Sequence, residues 1–226
     1  MLISIKNKFI FIHNYKVAGT SIVKALERVA LLDPKKNICF MKISEDIPPL
    51  LYNRLTEILY KINIKFKKRI LPGFNSHITS KELKKQLPIS VWNNYFKFGF
   101  VRNPWDWQVS MYHFMLQNKK HFQHDFMKNM KDFEKDIIWR VNKDKHLQKE
   151  FFYDDKGNCL VDFIGKFEDL EKDFNKICKK IGVKVELPFL NKSKRKKDYR
   201  KYYNEYTKKL IAEHFKEDIK IFKYKF

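Results

Sequence analysis

Residues 9–21 have the sequence FIFIHNYKVAGTS, an apolar run that leads into a short loop containing lysine, glycine, threonine and serine. The β-branched and aromatic residues predict a strand over residues 3–12. Apolar residues then recur on one helical face, which predicts a helix over residues 21–29. Anions bind where a strand leads into a helix N-terminus, because free backbone N–H groups and the helix dipole converge there. The stretch therefore predicts an anion-binding loop.

A second strand-to-helix transition lies in residues 98–105, which have the sequence FGFVRNPW. The apolar run predicts a strand over residues 95–101, with Arg102 at its end. Asn103 as N-cap and Pro104 in the first turn predict that a helix begins here. Two such transitions, each with a cation, predict a ligand that is negative at both ends. A nucleotide with two separate phosphate groups fits that description.

Further strands and helices alternate along the chain. We predict strands at residues 37–43 and 160–167, and helices at residues 50–70, 80–87, 104–116, 122–140, 170–181 and 199–222. This alternation predicts the α/β class with a central, mainly parallel sheet. The 226 residues suit one domain, which we place at residues 1–226.

The chain is strongly basic, with a formal net charge of +22. Such a charge attracts a polyanion: a nucleotide, an acidic glycan, a nucleic acid or a membrane surface. Alternatively, lysines scattered along the chain only solvate its surface. The charge alone does not choose between these interpretations.

The sequence also bears on the compartment. It has no run of about 18 apolar residues, so we predict no transmembrane helix. Its N-terminal apolar run is too short for a signal peptide. The cysteines, Cys39, Cys159 and Cys178, are odd in number and widely spaced, which predicts buried thiols in a reducing compartment. We therefore expect a cytoplasmic protein.

The first loop differs from the P-loop of nucleotide triphosphatases. That motif places its lysine after the second glycine, beside a serine or threonine that holds magnesium. Here Lys16 precedes Gly19, and no strand ends in an obvious magnesium-holding aspartate, so we expect no metal. Gly19 allows the backbone to approach an anion closely. Thr20 and Ser21 offer hydroxyl and N–H groups, and Lys16 supplies a point charge.

Residues 13–21 resemble the 5′-phosphosulfate loop of the sulfotransferases, and residues 101–106 with Ser110 and Tyr112 resemble the family's 3′-phosphate motif. The similarity extends to residues 77–83, 95–98, 162–170, 190–193 and 199–203. The group most similar to this chain includes heparan sulfate 2-O-sulfotransferases and many bacterial carbohydrate sulfotransferases. The resemblance implies a single three-layer domain with the P-loop NTPase-like sulfotransferase fold.

The resemblance also implies the chemistry. The co-substrate would be 3′-phosphoadenosine 5′-phosphosulfate, and the acceptor a glycan or other hydroxyl-bearing molecule, including an acidic one. His77 would be the general base, and Lys16 would stabilise the leaving phosphate. The residues implied to bind the donor are Lys16, Ala18, Gly19, Thr20 and Ser21 at its 5′ end, Arg102 and Ser110 at its 3′-phosphate, and Ser193 and Arg195 in a covering loop. We expect no nucleic-acid partner, and a microbial or viral source.

Several of these residues have simpler alternatives. Arg102 could form a structural ion pair with Asp106 or Glu168. His77 could be a surface or N-cap histidine. His13 could contact the acceptor or only pack within the loop.

Three positions depart from the family pattern. Tyr15 and Val17 replace the common proline and threonine of the first loop, and Trp107 stands where an arginine is common. Val17 cannot donate the side-chain hydrogen bond of a threonine, so an inactive, donor-binding family member is one alternative. A basic nucleic-acid-binding module is another. Residues 193–196 could be a solvated basic turn before the last helix instead of a covering loop. The sequence does not indicate the acceptor's identity or the oligomeric state.

Overall fold

The computed structural model describes residues 1–4, 6–27, 29, 77–130, 132–143, 146–188, 190, 195–196 and 198–226. The chain divides into two compact units. The first is formed by Met1–Phe100 and Glu150–Pro188, and the second by Val101–Lys149 and Phe189–Phe226. The strand predicted at residues 37–43 and the helix predicted at residues 50–70 lie outside the described residues. The single domain at residues 1–226 stays a prediction.

Strands and helices alternate along the described residues. In chain order they are β1 (Leu2–Ser4), β2 (Phe9–Ile12), α1 (Gly19–Leu26), α2 (Ser80–Gln86), α3 (Ile89–Asn94), β3 (Phe96–Val101), α4 (Pro104–Gln117), α5 (His124–Met130), α6 (Phe133–Lys143), β4 (Phe163–Lys166), α7 (Leu170–Lys180), α8 (Glu205–His214) and α9 (Lys216–Phe222). Short 3-10 helices cover Gln148–Phe151, Phe167–Asp169 and Tyr199–Tyr202.

The four strands form one sheet in the order β1-β2-β3-β4. β2 and β3 run parallel, with Phe9 opposite Phe96 and Ile12 opposite Gly99. Every residue of β2 is buried, as in strands of parallel sheets that are covered on both faces. The predicted α/β class with a central, mainly parallel sheet flanked by helices is confirmed.

The single strand predicted over residues 3–12 is wrong, because this segment is a hairpin. β1 pairs antiparallel with β2, and Ser4 lies opposite Phe9. Between the strands, the Asn7 backbone N–H donates to Ser4 Oγ at 3.1 Å, and Lys8 has a φ of 49°. The polar residues of this turn interrupt the apolar run, and the chain reverses there.

The core of the first unit lies where α1 and α7 cover the sheet. Their buried residues form one cluster with the aromatic side chains of β2 and β3. The cluster includes Phe9, Phe11, Val17, Ile22, Leu26, Phe98, Phe100, Phe174 and Ile177. Burial of these side chains fixes α1 against the sheet, and α1 begins directly after the first loop.

The expectation of buried cysteines holds for one of the two that are described. Cys178 is buried on α7, and burial raises the pKa of its thiol to about 11. Cys159 is exposed, so the prediction is wrong there. It pairs with Tyr153 in an isolated antiparallel bridge and does not lie on a helix face. Cys39 lies outside the described residues.

The second unit is helical. Trp105, Trp107, Ile137, Ile211 and Phe215 form its main buried cluster. Of the helices in the described ranges, none combines the length and the apolar character needed to cross a bilayer.

Two long helices predicted in this unit are each divided. The helix predicted at residues 122–140 is α5 and α6, because the Asp132 side chain accepts from the Glu134 backbone and starts a new helix. The helix predicted at residues 199–222 is a 3-10 turn followed by α8 and α9. Asn204 forms a capping box with Thr207 and begins α8 there.

Candidate functional site

The first loop connects β2 to α1 and has an unusual backbone. Lys16 and Ala18 have φ values of 55° and 62°, in the left-handed region that residues other than glycine seldom adopt. When left-handed and right-handed residues alternate along a loop, successive backbone N–H groups turn toward one point and form a concavity that suits an anion. Ala18 is the N-cap of α1, gives no side-chain cap, and no acidic residue follows in the first turn. These features are typical of a helix start that binds an anion.

A buried asparagine fixes this loop. The Asn14 side chain donates to the Phe100 carbonyl at 3.3 Å and accepts from the Tyr15 backbone N–H at 2.6 Å. Asn14 therefore ties the loop to the end of β3. Val17 is fully buried in the core of the first unit. The valine that replaces the family's threonine at this position thus packs in the hydrophobic core.

Gly19 and His13 are in direct contact. A Cβ at position 19 would lie 1.8 Å from His13 Nε2, so only glycine leaves room for the imidazole. The same ring stacks on Phe11, with centroids 5.5 Å apart. These contacts favour the packing role for His13 over contact with an acceptor.

His77 lies against the first loop, although it is 64 positions from His13 in the sequence. Its Nδ1 is 2.8 Å from the His13 carbonyl oxygen. A carbonyl only accepts, so Nδ1 carries the proton; in the neutral ring Nε2 then carries the lone pair. Thr79, with a capping box to Glu82, is the N-cap of α2, so the N-cap interpretation of His77 is wrong.

Two aromatic rings flank the His77 imidazole. Tyr15 stacks on it with centroids 4.0 Å apart and an interplanar angle of 24°. The His13 ring lies 4.5 Å away and is tilted by 48°. Tyr15 also meets the edge of Phe151 at 5.6 Å, and the Ser80 hydroxyl donates to the Phe151 carbonyl at 2.6 Å. The imidazole is thus held by His13 and Tyr15 of the loop.

In the second unit, two arginines share one carboxylate. Arg102 Nε donates to Asp106 Oδ2 at 2.7 Å, and Arg102 Nη2 is 2.6 Å from the same oxygen. Arg195 Nη2 lies 2.6 Å from Asp106 Oδ1. The alternative ion pair of Arg102 with Asp106 is therefore present. Two guanidinium groups therefore meet one carboxylate, and the three side chains sum to a formal charge of +1.

The backbone of Arg102 is held by a buried glutamine. Its N–H donates to Gln148 Oε1 at 2.9 Å, and Gln148 Nε2 donates to its carbonyl at 2.7 Å. Gln148 is fully buried and its own N–H donates to Asp218 at 2.8 Å. The side-chain amide continues the ladder of hydrogen bonds past the end of β3.

The remaining predicted residues fall on or near α4. Ser110 is buried one turn after Asp106, on the same helical face. Burial, and then the charge of Arg195, lower the pKa of His113, which therefore stays neutral at pH 7. Ser193 lies outside the described residues. Trp107 is buried and packs edge-on against Phe215 at 5.7 Å, so it belongs to the core.

Sequence reasoning named Asp106 as one possible partner of Arg102 and missed the other partners. The contact of Tyr15 with His77, the pairing of Asp106 with Arg195 and the support from Gln148 have no local signal. The one available hint was Tyr15 itself, because a large aromatic residue replaces the proline that is common in the motif.

The first unit is an α/β structure in which a loop at a strand-to-helix transition lies beside a histidine. Loops at such transitions are typical of proteins that bind phosphate groups. The chain belongs to the sulfotransferase family, since the model of the family described as "Sulfotransferase family" matches residues 1–225. Membership supports a sulfotransferase activity.

A relative of similar sequence is known from Archaeoglobus fulgidus, where it is described as an uncharacterized protein. It is 31% identical over 121 residues, which are 53% of this chain and 94% of the relative. No solved structure matches the chain.

Proposed function

We propose that the chain moves a sulfuryl group from 3′-phosphoadenosine 5′-phosphosulfate to a hydroxyl group of a carbohydrate acceptor. The observation that carries this proposal is the His77 imidazole, whose Nδ1 is held by the His13 carbonyl beside the anion-binding loop. A histidine in this tautomer is suited to accept a proton at Nε2.

The first loop would bind the 5′ end of the donor. The backbone N–H groups of Ala18 and Gly19, at the start of α1, would meet the 5′-phosphate. Thr20 and Ser21 would add hydroxyl or N–H contacts in the first helical turn. Lys16 would stabilise the negative charge that develops on the leaving phosphate.

The reaction would be an in-line displacement at sulfur. A bond forms between the acceptor oxygen and sulfur, and the bond between sulfur and the bridging phosphate oxygen breaks. The hydroxyl proton passes to His77 Nε2, and the products are a sulfate ester and adenosine 3′,5′-bisphosphate. A base of this kind contributes roughly 10²–10⁴-fold, and positioning contributes much of the rest.

The 3′-phosphate would bind to Arg102 and Arg195. Arg102 is the principal ligand, because its planar guanidinium can donate two hydrogen bonds to a phosphate. Arg195 and Ser110 would add to it, and resemblance assigns Ser193 to the same group. The net positive charge of the Arg102, Asp106 and Arg195 side chains supports this assignment.

A transfer assay with labelled donor over a panel of glycans tests the activity. We expect Lys16→Ala and His77→Ala to lower the rate by roughly 10²-fold or more. Two variants serve as matched controls. Lys24→Ala removes an exposed lysine of α1, and His124→Gln removes a histidine whose Nδ1 is likewise 2.9 Å from a carbonyl. Rates at the wild-type level in both test variants would refute the mechanism.

Calorimetry with adenosine 3′,5′-bisphosphate tests the binding roles separately. Hydrogen bonds to charged groups contribute about 1.5–3 kcal/mol each, so Arg102→Ala should weaken binding roughly 10- to 150-fold. Absence of binding to the wild-type chain would refute the donor assignment. Tight binding without transfer to any glycan would instead indicate an inactive member or another acceptor class.

A further inference from the structure

His77 makes three contacts with the first loop, two of them with His13 and one with Tyr15. The His13 carbonyl meets His77 Nδ1 at 2.8 Å, and the His13 ring lies 4.5 Å from the imidazole. The Tyr15 ring stacks on the imidazole at 4.0 Å. Of the two ring contacts, the Tyr15 contact is the shorter and the more nearly parallel.

Tyr15 is also held in place. Its backbone N–H is bound by Asn14, which is fully buried, and its ring meets the edge of Phe151. Yet 40% of Tyr15 is exposed, which is high for a large aromatic residue. Core packing therefore does not account for its position. Its stack on His77 does.

We propose that Tyr15 is a positioning residue for His77, a role that rests on the proposed function. Its ring keeps the imidazole in the plane in which Nδ1 donates to the His13 carbonyl and Nε2 accepts the proton of the acceptor hydroxyl. In an unrestrained peptide the tautomer with the proton on Nε2 predominates, and that tautomer cannot act as a base at Nε2. The departure at position 15 thus has a catalytic consequence.

The expected effect is moderate, because the hydrogen bond at Nδ1 survives without the ring. Loss of one stacked aromatic pair should lower the population of the productive His77 orientation by roughly 3- to 10-fold. We expect Tyr15→Leu to lower kcat by that factor and to leave KM for the donor within about twofold. Tyr15→Phe keeps the ring and should restore kcat.

Long-range proton–nitrogen NMR spectra of the full chain with isotope-labelled histidine report the tautomer directly. The His77 signals are assigned by their loss in His77→Asn. We expect the proton on Nδ1 in the wild-type chain and in Tyr15→Phe, and a shift toward the Nε2-protonated form in Tyr15→Leu. Tyr206→Leu, at another exposed tyrosine, is the control and should change neither the spectrum nor kcat.

Two results would overturn the inference. In the first, Tyr15→Leu retains the wild-type tautomer and kcat. In the second, it loses affinity for adenosine 3′,5′-bisphosphate in proportion to activity, which would make Tyr15 a support of the loop alone. If the wild-type chain transfers no sulfuryl group, the proposed function fails, and the NMR comparison still decides whether Tyr15 sets the orientation of His77.

Discussion

Replacing Gly19 by alanine should destabilise the chain by about 1–3 kcal/mol, the usual cost of overpacking a filled site. The new Cβ would lie 1.8 Å from His13 Nε2 and 2.0 Å from Cδ2, so the ring must move. It cannot move freely, because it packs between Phe11 and His77. Gly19 does not have a positive φ, so its backbone accepts alanine and the cost is steric alone.

Urea denaturation followed by circular dichroism measures this cost, and a double variant isolates its cause. His13→Ala removes the ring but keeps the backbone carbonyl that accepts from His77. The Gly19→Ala/His13→Ala chain should therefore be about as stable as His13→Ala alone, with a coupling of at least about 1 kcal/mol.

Gly157→Ala is the matched control, because its φ is 82° and a Cβ there would meet nothing within 4 Å. It should cost about 1–2 kcal/mol through backbone strain and show no coupling to His13→Ala. The reasoning is refuted if Gly19→Ala unfolds at the wild-type urea concentration. It is equally refuted if the costs of Gly19→Ala and His13→Ala simply add.

Three further predictions concern ionisable groups. Burial, more than the nearby carboxylates, raises the pKa of Tyr203 well above its usual value of 10. Unfolding above that pH therefore releases the Tyr203 proton, and the free energy of unfolding should fall as pH rises above about 10. Tyr203→Phe should make the urea midpoint less dependent on pH in this range, and an unchanged dependence would contradict the prediction. Asp106→Ala removes the carboxylate that two buried arginines share and should cost about 3–5 kcal/mol in urea denaturation, whereas a cost below about 1 kcal/mol would show that the pairs contribute little. Asp162→Ala removes a carboxylate that lies 2.9 Å from the buried ammonium of Lys97 and should lower the free energy of unfolding by about 1–3 kcal/mol. Asp155→Ala breaks an exposed ion pair with Lys81 and should lower it by less than about 1 kcal/mol. Equal losses would refute the idea that burial makes the first pair stronger.

The elements that could be predicted from the sequence are those with a strong local signal. α4 begins as expected, since the Asn103 side chain accepts from the Trp105 N–H and Pro104 occupies the first turn. α7 ends before Gly182, whose φ of 70° suits the left-handed position that closes a helix. The hairpin at Ser4 had a weak signal, because polar residues without a glycine form its turn.

The candidate site could be predicted only in part. Lys16 and Arg102 belong to contiguous motifs, so their neighbours in sequence reveal them. The contact of His77 with the His13 carbonyl joins residues 64 positions apart, and no local rule gives its geometry. The same holds for Asp106, whose carboxylate meets Arg195 at 2.6 Å across a long stretch of chain.

The two departures in the first loop bear on whether the chain turns over its donor. Val17 is fully buried in the core, so at this position any contact with phosphate falls to the backbone N–H rather than to a side chain. Tyr15 stacks on the His77 imidazole, with ring centroids 4.0 Å apart. Each replacement therefore has a structural partner in the first unit. A measurement of sulfuryl transfer is therefore what tests the hypothesis of an inactive, donor-binding family member. This hypothesis predicts tight binding of adenosine 3′,5′-bisphosphate and no transfer.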